Sequence, residues 1–217
     1  GKHIAVRGGT RPKARDINVP SDISSAAFLA VASACLPDST VRIRRVGLNP
    51  TRTGIIDILR SCGVAIVIEK AIDLCNEPLA DIVVSSAELT SPPKIDGPII
   101  ANIIDELPII AVLGTQLPHG IEVRGAAELR VKESDRINSI VKNLRAIGAK
   151  VDEFEDGFHV RRSDIIGGEI DSFGDHRIAM AFAVAGLLSK DGVSIKNADC
   201  TDISFPSFFE TLASLVE

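Results

Sequence analysis

With 217 residues, 45% of them hydrophobic and 24% charged, the chain has the balance of a globular fold and enough length for one large core or two small ones. Only 4% of residues are aromatic and Trp and Tyr are absent, so that core must be aliphatic, of the kind that packs helices on sheets. The formal net charge of −5, with no long Lys/Arg block, argues against nucleic acid or an acidic membrane as partner, yet leaves room for a small anion wherever a few arginines converge.

In chain order, residues 4–7 and 16–19 read as strands that stand outside the pattern that follows. A helix is expected over 26–36, opened by Asp22 and followed by the turn Pro37-Asp38-Ser39 and the alternating strand 41–44. A second helix, about 53–62, stops at Gly63, and strands at 65–68 and 81–85 close the unit. The same order then returns. Asp105 precedes an apolar run at 107–113, the turn Pro118-His119-Gly120 leads to a strand at 121–123, a helix covers about 134–147, and strands follow at 151–154 and 159–161. Leu59-Arg60-Ser61-Cys62-Gly63 and Leu144-Arg145-Ala146-Ile147-Gly148 end the second helix of each unit in the same way. A third round begins at Asp175-His176-Arg177 before the run 178–188, turns at Asp191-Gly192 into a strand at 193–195, and ends in a helix over about 206–215. The reading is an α+β domain of three β-α-β-α-β-β units with helices packed on sheets, the third unit lacking its closing strands. Units of about 70–85 residues are too long for a solenoid, which favours a compact pseudo-threefold arrangement.

Asp22, Asp105 and Asp175 each sit at or just before a helix start. Helix capping explains such aspartates on its own. Three equivalent helices in a pseudo-threefold domain would also aim their N-termini at one surface, which favours anions. The run Glu128-Leu129-Arg130-Val131-Lys132-Glu133-Ser134-Asp135-Arg136 is dense with charge and lies between a strand and a helix. A solvated face is the ordinary meaning of such a run. Helical spacing would nevertheless turn Lys132, Glu133 and Arg136 toward one cleft, and Arg177 adds a second forked guanidinium suited to phosphate or carboxylate. Cys35, Cys62, Cys75 and Cys200 form no C-x-x-C pair and the four histidines are scattered. No metal site is expected, and the thiols read as reduced and partly buried in a cytoplasmic protein. Nothing reads as a signal peptide, and the apolar runs are too short or too interrupted to span a bilayer.

The run R-V-K-E-S-D-R (130–136), followed by D-H-R-I-A-M-A (175–181), resembles the EPSP (5-enolpyruvylshikimate-3-phosphate) synthase family. The runs P-S-D-I-S-S-A-A-F (20–28) and N-P-T-R-T-G (49–54) match it as well, the latter being similar to the bacterial group often called class II. The resemblance implies a protein of two domains, each of three such units, with the active site between them. Residues 1–19 would then be the tail of a missing N-terminal domain and its hinge. Residues 20–217 would be the C-terminal domain, with units at about 20–88, 89–167 and 168–217. The opening Gly1-Lys2-His3, without Met, fits a piece of a longer chain. The strands missing from unit three would come from the start of that chain. Phe208, Leu212 and Leu215 of the last helix should accordingly be incompletely covered, and 4–7 and 16–19 should fill the vacant sheet edge or be poorly ordered.

The implied chemistry is transfer of the enolpyruvyl group of phosphoenolpyruvate to the 5-hydroxyl of shikimate 3-phosphate, without a cofactor. Position by position, the resemblance makes Asp105 the favoured base and a contact of the shikimate hydroxyls, and Glu133 the group that moves a proton at the methylene carbon. It makes Lys132 a residue of the shikimate-phosphate site, and Arg136 and Arg177 the grip on phosphoenolpyruvate. His176 reads as structural and Cys200 as buried. One departure stands out: many members carry a lysine where Cys200-Thr201-Asp202-Ile203-Ser204-Phe205-Pro206 has Ile203, so no phosphate-binding lysine is assigned there. The rival readings are the sister enolpyruvyl transferase of cell-wall synthesis, against which R-V-K-E-S-D-R argues, and a half that binds ligands but is inactive alone.

Overall fold

The computed structural model describes residues 3, 5–11, 13–92 and 94–216. Unit one starts at Ser21, which forms a parallel bridge to Val46. It continues through α1 (Ile23–Cys35), β1 (Thr40–Gly47), α2 (Gly54–Ser61), β2 (Ala65–Leu74) and β3 (Glu77–Ser85), with the antiparallel sheet order β1-β3-β2. Unit two repeats it, from the parallel bridge Ile95–Val123 through α3 (Ile100–Ile103), α4 (Leu107–Gln116), β4 (Ile121–Val123), α5 (Arg136–Ala146), β5 (Val151–Phe154) and β6 (Gly157–Val160), in the order β4-β6-β5. In unit three, β7 (Gly168–Asp171) and β8 (Val193–Lys196) pair in parallel across α6 (His176–Leu187), and α7 (Phe208–Ser214) ends the described elements. The fold is therefore the three-unit β-α-β-α-β-β plan, with the last antiparallel pair of unit three absent among the described residues.

Local chemistry explains the elements. In β1, Val41 and Ile43 turn inward while Arg42 and Arg44 face solvent, the two-residue alternation of a half-buried strand. The central strand β3 buries Ile82 and Val84 on the inner face, while Val83, in register with Arg42 and the exposed Val67, lies on the outer one. α1, α4 and α6 are apolar all round and pack on one another as the middle layer. Every residue of α4 from Leu107 to Thr115 is buried. Burying a single Ile or Leu in this way contributes about 1.5–3 kcal/mol. Small residues allow the close approach: a Cβ on Gly114 would lie 2.5 Å from Ile121 Cγ2.

Several expectations need correction. Residues 5–7 and 16–19 lie in no strand, and Val6, Ile17 and Val19 are exposed; Ile4 lies outside the described residues. A strand needs a ladder partner, and among the described residues none runs alongside these segments. Phe208 and Leu212 are buried rather than uncovered, because α7 sets Phe208 edge-on against Phe28 of α1 with ring centroids 5.9 Å apart; Leu215 is exposed. The helix expected from residue 134 starts at Arg136, after a bend over 132–134. β6 begins at Gly157 rather than 159, β7 was not anticipated, Cys75 is exposed and Cys200 is only partly buried. No single helix among the described residues is long and apolar enough to cross a membrane.

Candidate active site

The N-termini of the three central helices meet at one end of the domain. Asp22 caps α1, its Oδ2 accepting from the Ser25 amide at 3.0 Å, and Asp175 caps α6, its Oδ1 accepting from the Arg177 amide at 3.0 Å. Asp135 does the same for α5 through the Asn138 amide. Asp105 differs. The N-cap of α4 is Glu106, without a side-chain cap, and the Asp105 carboxylate instead faces three arginines. Its Oδ1 lies 3.3 Å from Arg136 Nη1, and its Oδ2 lies 3.3 Å from Arg177 Nη2 and 3.7 Å from Arg52 Nη2.

Arg136 is fully buried, and carboxylates take up its fork. Nε donates to Asp175 Oδ2 at 2.7 Å, and Nη2 reaches Asp175 Oδ1 at 3.3 Å and Glu133 Oε2 at 2.6 Å. Asp175, equally buried, also accepts from Ser134 Oγ at 3.1 Å. A buried charge persists only when paired and hydrogen-bonded in this way. Glu133 keeps about half its side chain in solvent (49%), which leaves it the accessible member of that pair. Arg177 is 15% exposed, and its buried Nε has no partner among the described residues.

The structure thus brings Asp105, Glu133, Arg136 and Arg177 together. Lys132 stands apart: its ammonium pairs with Glu128 at 2.8 Å, and no hydrogen bond or ion pair links it to the other four among the described residues. The helical spacing that was expected to align Lys132 with Arg136 does not exist, since Lys132 precedes the helix. His176 is buried with Nδ1 unpartnered among the described residues; burial, and then the Arg177 charge, hold it below its ordinary value and therefore neutral at pH 7. Ile203 is 73% exposed in the 3₁₀ turn Ala198–Ile203.

Sequence reasoning missed Asp175 as the partner of Arg136, gave no role to Arg52 and Ser24 although both lie in the runs matched to the family, and missed Glu106 altogether. Glu106 is buried and accepts a short hydrogen bond from Ser24, whose Oγ accepts from Arg52 Nη2 at 2.8 Å. Burial pushes the Glu106 carboxyl above the ordinary range, against the pull of Ser24, Arg177 and Arg52. Position beside Asp105 was the one available signal for Glu106. Chemically, the cluster sets one partly exposed and one half-exposed carboxylate among three cations at converging helix N-termini. Such an arrangement suits proton transfer beside an anionic ligand.

The chain is 47% identical over 210 residues to the 3-phosphoshikimate 1-carboxyvinyltransferase of Pelobacter propionicus and 46% identical over 215 residues to that of Koribacter versatilis. It covers 96% and 99% of itself in these matches but spans only about half the length of the relatives, 48% and 50%. The EPSP synthase of Acinetobacter baumannii superposes with a TM-score of 0.87 at 37% identity, over 95% of this chain and 48% of that one. The enolpyruvyl transferase NikO from Streptomyces tendae, at 15% identity and TM-score 0.63 over 89% of this chain and 42% of that one, shares the fold. A family model for EPSP synthase (3-phosphoshikimate 1-carboxyvinyltransferase) matches residues 1–212, and the chain belongs to that family.

Proposed function

We propose that this chain forms one face of an active site that transfers the enolpyruvyl group of phosphoenolpyruvate to the 5-hydroxyl of shikimate 3-phosphate, in the cytoplasm. The opposite face would come from a second half of similar size, since the relatives are twice as long. In this reading residues 1–19 are linker and tail of that half, and residues 20–217 are the domain. What supports the reading is the placement of Asp105: alone among the three helix-start aspartates it caps nothing and stands under three arginines.

The reaction runs by addition and elimination. Asp105 accepts the hydroxyl proton as the 5-oxygen bonds to C2 of phosphoenolpyruvate, and Glu133 delivers a proton to the methylene carbon, which becomes a methyl group. Loss of a methyl proton and cleavage of the C2–O bond to phosphate then restore the double bond and release phosphate. Arg177, with its unpartnered Nε, and Arg136 hold phosphoenolpyruvate. For Arg136 a substrate oxygen replaces Glu133 at Nη2, which frees Glu133 for proton transfer. Lys132 exchanges Glu128 for the shikimate phosphate. The test is Asp105→Asn in an enzyme completed with the complementary half of the Pelobacter propionicus relative. Turnover should fall about 100-fold or more, the scale of a lost acid–base group, with the fold preserved. Turnover within threefold of wild type would refute the assignment.

A further inference from the structure

Arg52 belongs to the run Asn49-Pro50-Thr51-Arg52-Thr53-Gly54, most of which has a structural task. Asn49 Oδ1 accepts from the Thr51 amide at 3.1 Å and from the Thr51 hydroxyl at 2.8 Å, which sets the turn. Asn102, next to last in α3, ties the loop from both ends: its Nδ2 donates to the Pro50 carbonyl at 3.0 Å and its Oδ1 accepts from the Gly54 amide at 3.1 Å. Gly54 permits that seat, because a Cβ there would lie 2.6 Å from Ile103 Cγ2. The loop is therefore braced twice, and the Arg52 side chain is what it presents to the Asp105 cluster.

That side chain is itself held. Nη2 donates to Ser24 Oγ at 2.8 Å, and Ser24 in turn donates to the buried Glu106. Serine is the only one of the three that both donates and accepts, so the order Arg52 to Ser24 to Glu106 follows from the chemistry. The remaining donors of the guanidinium, Nε and Nη1, have no partner among the described residues. Exposure separates the three arginines around Asp105: the side chains are 45% exposed for Arg52, 15% for Arg177 and 0% for Arg136. Arg52 combines a fixed position with open donors on the most exposed of the three side chains. A cavity of about 60 Å³ beside it, lined also by Asn102, Asp105 and Glu106, has room for a water or a few ligand atoms.

We propose that Arg52 is a further substrate-binding residue, donating to a phosphate or carboxylate oxygen beside Asp105, and that Ser24 and Glu106 position it. The inference rests on the reading of the Asp105 cluster as the substrate site, and deepens it. A guanidinium whose one end is anchored loses little freedom on meeting an anion, and its planar fork suits either oxyanion.

The experiment measures binding apart from turnover, in the completed enzyme. Shikimate 3-phosphate alone, and phosphoenolpyruvate alone, are titrated calorimetrically into wild type, Arg52→Gln and Ser24→Ala. Arg52→Gln should weaken one of the two by about 10- to 100-fold, the loss of a hydrogen bond to a charged group, and leave the other within threefold. Which of them weakens identifies the anion. Ser24→Ala should weaken the same substrate by a smaller factor, a selectivity that a purely structural serine would not show. If Arg52→Gln changes neither affinity, or both equally, the binding role is refuted. If Arg52→Gln acts and Ser24→Ala does not, the positioning role of Ser24 and Glu106 is refuted. An absence of enolpyruvyl transfer by wild type would overturn the proposed function, with both binding measurements still deciding the role of Arg52.

Discussion

Asp175 carries two tasks whose sizes can be separated. Its carboxylate caps α6 through the Arg177 amide at 3.0 Å and neutralises the fully buried Arg136 through contacts of 2.7 and 3.3 Å. Replacing it with alanine removes a cap, about 1 kcal/mol. It also strips a buried guanidinium of its closest-fitting partner, a change that costs about 3–5 kcal/mol where no other counter-charge remains. Asp105 and Glu133 stay in place, at 3.3 and 2.6 Å, which argues for the low end of that range. Asp175→Ala should therefore destabilise the chain by about 3–4 kcal/mol in all, or about 6–16 °C in Tm for a chain of this size. Asp175→Asn keeps the cap but loses the charge and turns an amide N–H toward a donor, for about 1.5–3 kcal/mol. Urea unfolding of the three proteins, at constant denaturant slope, measures both differences. A loss below about 1 kcal/mol for the alanine variant would mean that the buried pair adds nothing beyond the cap and would refute the argument.

Other outcomes follow from the same geometry. Arg177→Lys in the completed enzyme loses the planar fork and should raise KM for phosphoenolpyruvate about tenfold or more, well beyond its effect on shikimate 3-phosphate; equal effects on both would count against the grip assigned to it. Because His176 sits below 6.5 in the folded chain, the unfolded chain takes up a proton that the folded one refuses as pH falls through about 6.5. Its contribution is thus full above that pH and lost below it, and His176→Gln should flatten the decline in stability between about pH 7 and pH 5; an unchanged slope would dispose of the idea. Burial pushes the Cys35 thiol up to about 12 and Cys62 up to about 11, whereas Cys75 is exposed at the β2–β3 turn. A thiol reagent at neutral pH should label Cys75 first and spare Cys35 and Cys62 until the chain unfolds, with rapid native labelling of either as the contrary result.

What could be read from the sequence was whatever local periodicity encodes. β4 and β5 fall at their expected residues, because turns flank short segments with apolar residues at both ends. The aspartates at 22 and 175 do cap helices, as the ordinary reading of such residues has it. Asp105 and Asp175 look alike in sequence and Arg136 reaches both; what separates them is that Asp175 caps α6 whereas Asp105 also meets Arg177 and Arg52, a tertiary fact. Arg52 lies 53 positions from Asp105, and no spacing rule joins them. The helical spacing expected between Lys132 and Arg136 is absent because Ser134 and Asp135 instead bond to Asp175 and the Asn138 amide ahead of the helix. β7 escaped notice because two glycines at positive φ, Gly167 and Gly168, open a four-residue segment too short to show alternation.

The middle layer of α1, α4 and α6 has a consequence for how the molecule comes apart. Each of these helices is wrapped by the other two and by sheets from its own unit, so no unit owns a private interior. Taking away one unit would uncover the apolar faces of the other two helices that pack against it. Exchange of amide hydrogens in α4 should then require opening of the entire domain, at the same free energy as in α1 and α6. The Asp105 cluster draws on the ends of those same three helices, through Ser24, Asp105 and Arg177, and adds Arg136 from the start of α5 and Arg52 from the loop before α2. It therefore has no existence in any partly opened form: the site and the fold are gained and lost as one event.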